Sequence, residues 1–140
     1  MKTPSLSIAF RDVGLDPRYQ PAINVLAKAC TDFYGVFPEY RKARYASGIA
    51  SGTFAIPQHI RTTFLRCAGS IEAALRVLDA VKSPHAVPRM TINQFRQASA
   101  GIRDLAAGMI DGYGYDYDMV GQRFGLGFEN AIIWVQHHHQ

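Results

Sequence analysis

Three cations stand within four residues at Arg41-Lys42-Ala43-Arg44, and Tyr40 and Tyr45 flank them. Guanidinium and ammonium groups bind phosphate oxygens, and tyrosine rings stack on nucleic-acid bases. Arg41, Lys42 and Arg44 are therefore candidate phosphate contacts of a nucleic-acid-binding protein. The alternative interpretation of the same residues is the solvated face of an ordinary helix.

The residue types that carry catalysis or bind metals lack the required spacing in this chain. Cys30 and Cys67 are the only cysteines, and both lie in apolar helical patterns, which indicates buried free thiols. His59 and His85 have no cysteine or acid at ligand spacing. The consecutive histidines at 137–139 indicate a mobile terminal tail. The sequence thus predicts no enzyme, no cofactor and no metal site.

Residues 118–135 have the pattern of a helix-turn-helix. Gly121 stands where two helices of this motif cross closely, and Gly125 stands where the first helix must end in a left-handed cap. The apolar residues fall at spacings that bury one side of both helices: Val120, Phe124, Leu126, Ala131, Trp134 and Val135. The second helix of such a unit enters the major groove of DNA. A strand over 131–136 is the alternative, because these residues are β-branched and aromatic.

The segment 90–135 resembles the TrfB/KorA-like family of plasmid transcriptional repressors. The resemblance rests on Met90-Thr91-Ile92-Asn93-Gln94-Phe95, on Met109-Ile110-Asp111-Gly112 and on Gly121-Gln122-Arg123-Phe124-Gly125-Leu126. It implies a regulator from a plasmid or phage that binds duplex DNA. A single unit of this size buries too little surface to be specific alone, so we expect a homodimer that supplies two half-sites.

The hypothesis of DNA binding also assigns contacts within the motif. Arg123 is expected to contact a phosphate, and Glu129 to accept a hydrogen bond from a cytosine edge. Asn130 supplies an amide. The residues expected to face the DNA groove are Gly127, Phe128, Glu129, Ile132 and Ile133.

The apolar character of this second helix supports a different function. Phe128, Ile132, Ile133 and Trp134 are typical of a buried helix or of a protein-binding surface more than of a base-reading helix. The alternative hypothesis is therefore a protein-binding inhibitor or adaptor of a mobile element, such as an anti-defence protein, with these four residues at its interface.

Charge is unevenly distributed along the 140 residues, whose net charge is +4. Residues 1–82 carry eleven cations against six acids, a net charge of +5. Residues 83–140 carry four arginines against five acids, a net charge of −1. The half that contains the helix-turn-helix pattern is thus the half without the positive field that a polyanion would favour.

The elements that position these residues follow from apolar periodicity. We predict a mainly α, compact domain, with a short strand or extended arm at 4–10. Helices are expected from Asp16 to Gly35, from Pro57 to Gly69, and from a Ser70 cap through 71–81. The next helix opens on a Thr91–Gln94 capping box, carries Phe95, Ala98, Ile102, Leu105 and Met109 inward, and ends near Gly112.

The predicted organisation is a helical region at 1–82, a proline-containing linker at 83–89, the helix-turn-helix-like unit at 90–136 and a tail at 137–140. The C-terminal helices are expected to pack on the helix at 71–81. The sequence has no run of about 18 apolar residues and no apolar signal stretch at its N-terminus. We therefore expect a cytoplasmic protein without a membrane partner.

Overall fold

The fold is that of a computed structural model, which describes residues 15–49, 52–80, 85–110 and 126–139. Some of the predictions above concern positions outside these ranges. They are the arm at 4–10 and the first motif helix with Gly121, Arg123 and Gly125.

Within the described residues, a short 3₁₀ turn, Pro17–Tyr19, is followed by four α-helices. These are α1 (Gln20–Ser47), α2 (Gln58–Ala80), α3 (Arg89–Ala106) and α4 (Leu126–His138). Two strands of two residues, β1 (Gly52–Thr53) and β2 (Met109–Ile110), pair antiparallel, with Gly52 opposite Ile110. The predicted mainly α fold is confirmed, and α4 is a helix, not a strand.

Helix α1 is longer than predicted because two residues that usually interrupt helices lie inside it. Gly35 was expected to end the helix, yet α1 continues through Gly35 and Pro38 to Ser47. Both residues are exposed, and the inward positions around them, Phe33, Phe37 and Tyr40, are buried. Each buried aromatic ring contributes about 2 kcal/mol, which offsets the roughly 1 kcal/mol cost of a helical glycine. The helix ends at Gly48, whose φ of 68° is left-handed.

Helix α2 combines two helices that were predicted separately. Gly69 was expected to break the chain and Ser70 to cap a second helix, but both lie within Gln58–Ala80. A single buried stripe runs through the whole helix: Ile60, Phe64, Cys67, Ile71, Leu75 and Leu78. The spacing of three to four residues continues unbroken across Gly69, so packing dominates over the propensity of one glycine.

Helix α3 begins and ends earlier than predicted. It starts at Arg89 after Pro88, so Thr91 is a buried residue of the first turn and the expected capping box is wrong. It ends at Ala106, where Gly108 with φ 77° turns the chain into β2. Met109 consequently lies in a strand and is exposed, although the helical pattern had placed it inward.

One hydrophobic core joins all four helices, including those on both sides of the predicted linker. Helix α2 packs on α1 and α3, whereas α4 packs mainly on α3 and α1. The expectation that the C-terminal helices pack on 71–81 therefore holds for α3 only. No helix among the described residues is long and apolar enough to span a membrane.

Ion pairs hold α2 against α3 on the outer surface. Asp79 accepts hydrogen bonds from Arg89 and Arg96, both at 2.6 Å. About two turns away along α2, Glu72 accepts two hydrogen bonds of 2.7 and 2.8 Å from Arg103. The hydrogen bond from Arg103 is the main reason that the pKa of Glu72 lies below its usual value.

This ion pair predicts a pH-dependent contribution to stability. Because the pKa of Glu72 is lowered by folding, the contribution is present above the unfolded pKa of about 4.3 and is lost as the pH falls through the folded value. The side chains are 46% and 33% exposed, so screening limits the contribution to about 0.2–1 kcal/mol. Urea denaturation should show Glu72→Gln to be less stable than the parent chain at pH 7 and closer to it in stability at pH 3. An equal difference at both pH values would contradict this assignment.

Candidate functional site

A cleft of the described structure lies between α1 and α4, and we call it the α1/α4 groove. The two helices run antiparallel. The Tyr34 and Phe128 rings stack with their centroids 6.5 Å apart, and near the other end Gln20 Nε2 donates to the His138 carbonyl at 2.9 Å. The cleft has a volume of about 920 Å³ and is lined by Ala27, Lys28, Cys30, Thr31, Asp32, Tyr34, Glu129, Ile132, Ile133, Val135, Gln136 and His139.

One side of α4 belongs to the core and does not face this groove. Phe128, Ala131 and Trp134 are buried on this side, and Phe128 packs edge-on against Phe95 of α3 with centroids 5.9 Å apart. Phe128 and Trp134 had been assigned to a partner surface, and this assignment is wrong because their side chains are 1% and 0% exposed. Helical spacing leaves Ile132 and Ile133 half-buried on the groove side.

The C-terminal histidines extend α4 instead of forming the predicted tail. The helix includes His137 and His138. The His138 ring stacks on Trp134 with centroids 4.0 Å apart, and its Nδ1 donates to the Trp134 carbonyl at 2.8 Å. Together with the hydrogen bond from Gln20, these contacts fix the C-terminal end of α4 against α1. The expectation of a mobile tail is therefore wrong for His137 and His138.

The two edges of the groove carry opposite charge. On the α1 edge, Lys28 Nζ lies 3.0 Å from Asp32 Oδ2, and Arg66 of α2 approaches the same oxygen at 3.8 Å. The side chains of Lys28 and Arg66 are 77% and 57% exposed, against 25% for Asp32, so the outer atoms of this edge are cationic. On the α4 edge, Glu129 is an exposed acid.

The phenol and the thiols in and beside the groove are neutral at pH 7. Burial, with smaller effects from Cys30 and Glu129, raises the pKa of Tyr34 to about 12. Burial also raises the pKa of Cys30 to about 12, with Cys67 adding to it, and that of Cys67 to about 11. Both cysteines are buried free thiols, as predicted. Protonated thiols are poor nucleophiles, so the groove is equipped for binding by shape, apolar contact and fixed charge.

The Arg41–Arg44 cluster does not form the expected row of phosphate contacts. Arg44 is only 1% exposed and Tyr40 is fully buried, so both point into the protein. Arg41 is half-buried, and Lys42 and Tyr45 are exposed. The helical spacing predicts the burial of Arg44, because this residue continues the inward series Cys30, Phe33, Phe37 and Tyr40. The interpretation of Arg44 as a phosphate contact is wrong.

The α4 residues expected to face DNA are divided between two sides of the helix. Gly127 packs against the Gln94 side chain of α3, where an added Cβ would collide with it, and Phe128 is core. Glu129, Ile132 and Ile133 line the groove, and Asn130 is exposed. Gly127 and Phe128 are thus excluded as base contacts in this structure.

The α1 side of the groove was not identified from the sequence. Ala27, Thr31 and Tyr34 form a stripe at helical spacing beside the buried face of α1. The stripe is recognisable, but its function depends on α4 lying alongside it. Among the described residues, no group of three or more His, Cys, Asp and Glu is arranged to hold a metal ion.

No family model, curated protein or solved structure matches the chain. The resemblance of residues 90–135 to the TrfB/KorA-like repressors stays a prediction.

Proposed function

We propose that the chain is a protein-binding module, acting as an inhibitor or adaptor, and that the α1/α4 groove is its interface. The observation that carries this proposal is the position of Ile132 and Ile133 side by side on the wall of an open groove. Both are half-buried within the chain alone. A partner that covers the rest of their surface would gain the free energy of removing it from water.

The helix that carries these two isoleucines is packed against the rest of the chain on its other side. Phe128, Ala131 and Trp134 anchor the opposite side of α4 in the core. The His138 stack and the Gln20 hydrogen bond hold its end. A surface fixed in this way loses little conformational entropy when a partner binds, and this preorganisation favours affinity.

The groove has the shape of a helix-binding site. Two antiparallel helices with an apolar floor between them offer a seat for a third helix, which inserts its own apolar side chains. Ala27, Cys30 and Val135 form the floor, and the charged and polar residues lie at the edges. This arrangement of an apolar centre and a polar rim is typical of protein interfaces.

The distribution of cations is less favourable for a polyanion. Of the described cations, Arg18, Arg89, Arg96 and Arg103 bind acids of the same chain at 2.6–2.7 Å. Lys28 and Arg66 share Asp32. A phosphate would have to compete with these carboxylates, which reduces the free energy available from counterion release.

Duplex DNA is the second candidate partner, favoured by one observation. Glu129 and Asn130 are exposed on the first turns of α4, where a recognition helix carries its base contacts, and Lys42 is exposed at the end of α1. This function would require a homodimer, with Arg123 adding a phosphate contact. It predicts retardation of duplex DNA at low salt that is weakened by Lys42→Ala, a substitution outside the α1/α4 groove.

The experiment that tests the proposed function is selection of helices on the immobilised chain. A display library of amphipathic helices about 14 residues long would be panned on the parent chain, Ile133→Asp and Val77→Asp. We expect capture by the parent chain and by Val77→Asp, whose substitution adds the same charge to an exposed site on α2 outside the groove. Ile133→Asp should lose about tenfold or more in captured helices, because burial of an unpaired carboxylate costs about 1.4 kcal/mol or more.

Circular dichroism should show both variants folded, since Ile133 and Val77 are outside the buried core. Absence of captured helices on the parent chain would overturn the proposed function, and DNA retardation of the kind described above would favour the second candidate.

A further inference from the structure

We infer that the α1/α4 groove binds a partner helix whose apolar stripe has acidic residues along one edge and basic residues along the other. This inference rests on the proposed function and specifies the chemistry of its partner. The observation behind it is the opposite charge of the two groove edges, cationic on α1 and acidic on α4.

The charged groups lie across the groove from each other. Phe128 stacks on Tyr34, so Glu129, the next residue, is level with the stretch of α1 that ends at Tyr34. The influence of the Glu129 charge on the pKa of Tyr34 agrees with this proximity. Asp32 lies about half a turn before Tyr34 and holds Lys28 and Arg66 around it. A helix seated in the groove therefore has cations on one side and Glu129 on the other.

The charges at the two edges differ in how fully they are already satisfied. Lys28 and Arg66 share one carboxylate, so the α1 edge keeps one positive charge in excess. The side chains of Lys28 and Arg66 are also more exposed than that of Asp32. An acidic residue of the partner would balance this excess positive charge, as charged residues beside the apolar seam do in paired helices. A base of the partner would do the same for Glu129.

The length of the groove sets the length of the helix. Its α4 wall extends from Glu129 to His139, a rise of about 15 Å at about 1.5 Å per residue. A partner helix of about three turns fills this span. A helix is also a better occupant than the same surface of a second copy. That surface is concave, and two concave surfaces leave a cavity between them, whereas a helix presents a convex ridge.

Selection of helices by edge charge tests the inference. The library would hold the apolar stripe constant and allow Asp, Glu, Lys, Arg or neutral residues at the edges. On the parent chain we expect helices with oppositely charged edges to exceed those with two acidic or two basic edges by about three- to tenfold, the effect of two exposed ion pairs. A helix with one acidic and one basic edge can match the groove in one of its two directions, because reversal exchanges its edges. Helices whose two edges carry the same charge are therefore the comparison that tests the inference.

The matched variant is Glu129→Lys, which makes both groove edges cationic. It should shift the selected helices to two acidic edges, and circular dichroism should show an unchanged helical content. Selection without any edge preference on either chain would overturn the inference and leave the proposed function standing. Failure of the parent chain to capture any helix would overturn both. A dimer in light scattering that Ile133→Asp dissociates would assign the groove to a second copy, and this result too would overturn the inference.

Discussion

Replacement of Trp134 by alanine is expected to lower the free energy of unfolding by about 3–5 kcal/mol, the usual cost of removing a large buried aromatic side chain. The ring is 0% exposed and stacks on His138 at a centroid distance of 4.0 Å. Its loss would leave a cavity behind α4 and release the end of the helix. Domains of this size are stable by only about 5–15 kcal/mol, so the effect is a large share of the total.

Urea denaturation followed by circular dichroism measures this effect, with Ile133→Ala as the control. Ile133 lies on the same helix but is only half-buried, so its truncation should cost about 1 kcal/mol. Equal losses for the two variants would contradict the assignment of Trp134 to the core and return it to the partner surface.

Gly108→Ala is the second substitution for which we expect a large effect. Gly108 has φ 77°, and a Cβ added to it would collide with the carbonyl oxygen of Phe54. The Phe54 amide donates a hydrogen bond of 3.0 Å to the Gly108 carbonyl, next to the pairing of β1 with β2. Because backbone atoms cannot move aside as a flexible side chain can, we expect a loss of about 3 kcal/mol or more, from strain added to the cost of a positive φ.

Gly48→Ala isolates the conformational part of this effect. Gly48 has φ 68°, but no atom lies within 4 Å of the place that an alanine Cβ would occupy, so alanine should cost only about 1–2 kcal/mol. Thermal unfolding of the two variants gives the comparison directly. If Gly48→Ala lowers the melting temperature as much as Gly108→Ala does, close approach of Phe54 is not the cause.

Much of the helical fold could be predicted from the sequence, because buried residues recur at three to four positions. The stripe from Ile60 to Leu78 is an example. The predicted helix boundaries are wrong where a single residue competes with a continuous buried stripe. Gly35 and Gly69 were interpreted as breaks, although nothing crowds their positions and the buried series continues past both. The helix propensity of a single glycine changes the free energy of the helix by about 1 kcal/mol. The free energy gained by burying a continuous apolar face is larger.

The candidate site was harder to predict because it depends on which helices become neighbours. The sequence identified Ile132 and Ile133 as unusual, but it also grouped them with Phe128 and Trp134, which pack on the other side of α4. Only the contact of α4 with α1 decides which apolar residues stay accessible. Arg44 illustrates the same limit, since its charge suggested a surface contact while its spacing placed it inward.

The central claim, that the α1/α4 groove binds a protein helix, is tested most directly by locating a bound helix on the chain. A helix captured by the parent chain would be titrated into the ¹⁵N-labelled protein, and the amide shifts would be mapped by NMR. We predict the largest shifts at residues 27–34 and 129–136, on the two walls of the groove, and their loss in Ile133→Asp. Shifts concentrated instead on the outer face of α2 and α3, around Glu72, Asp79 and Arg103, would contradict the claim.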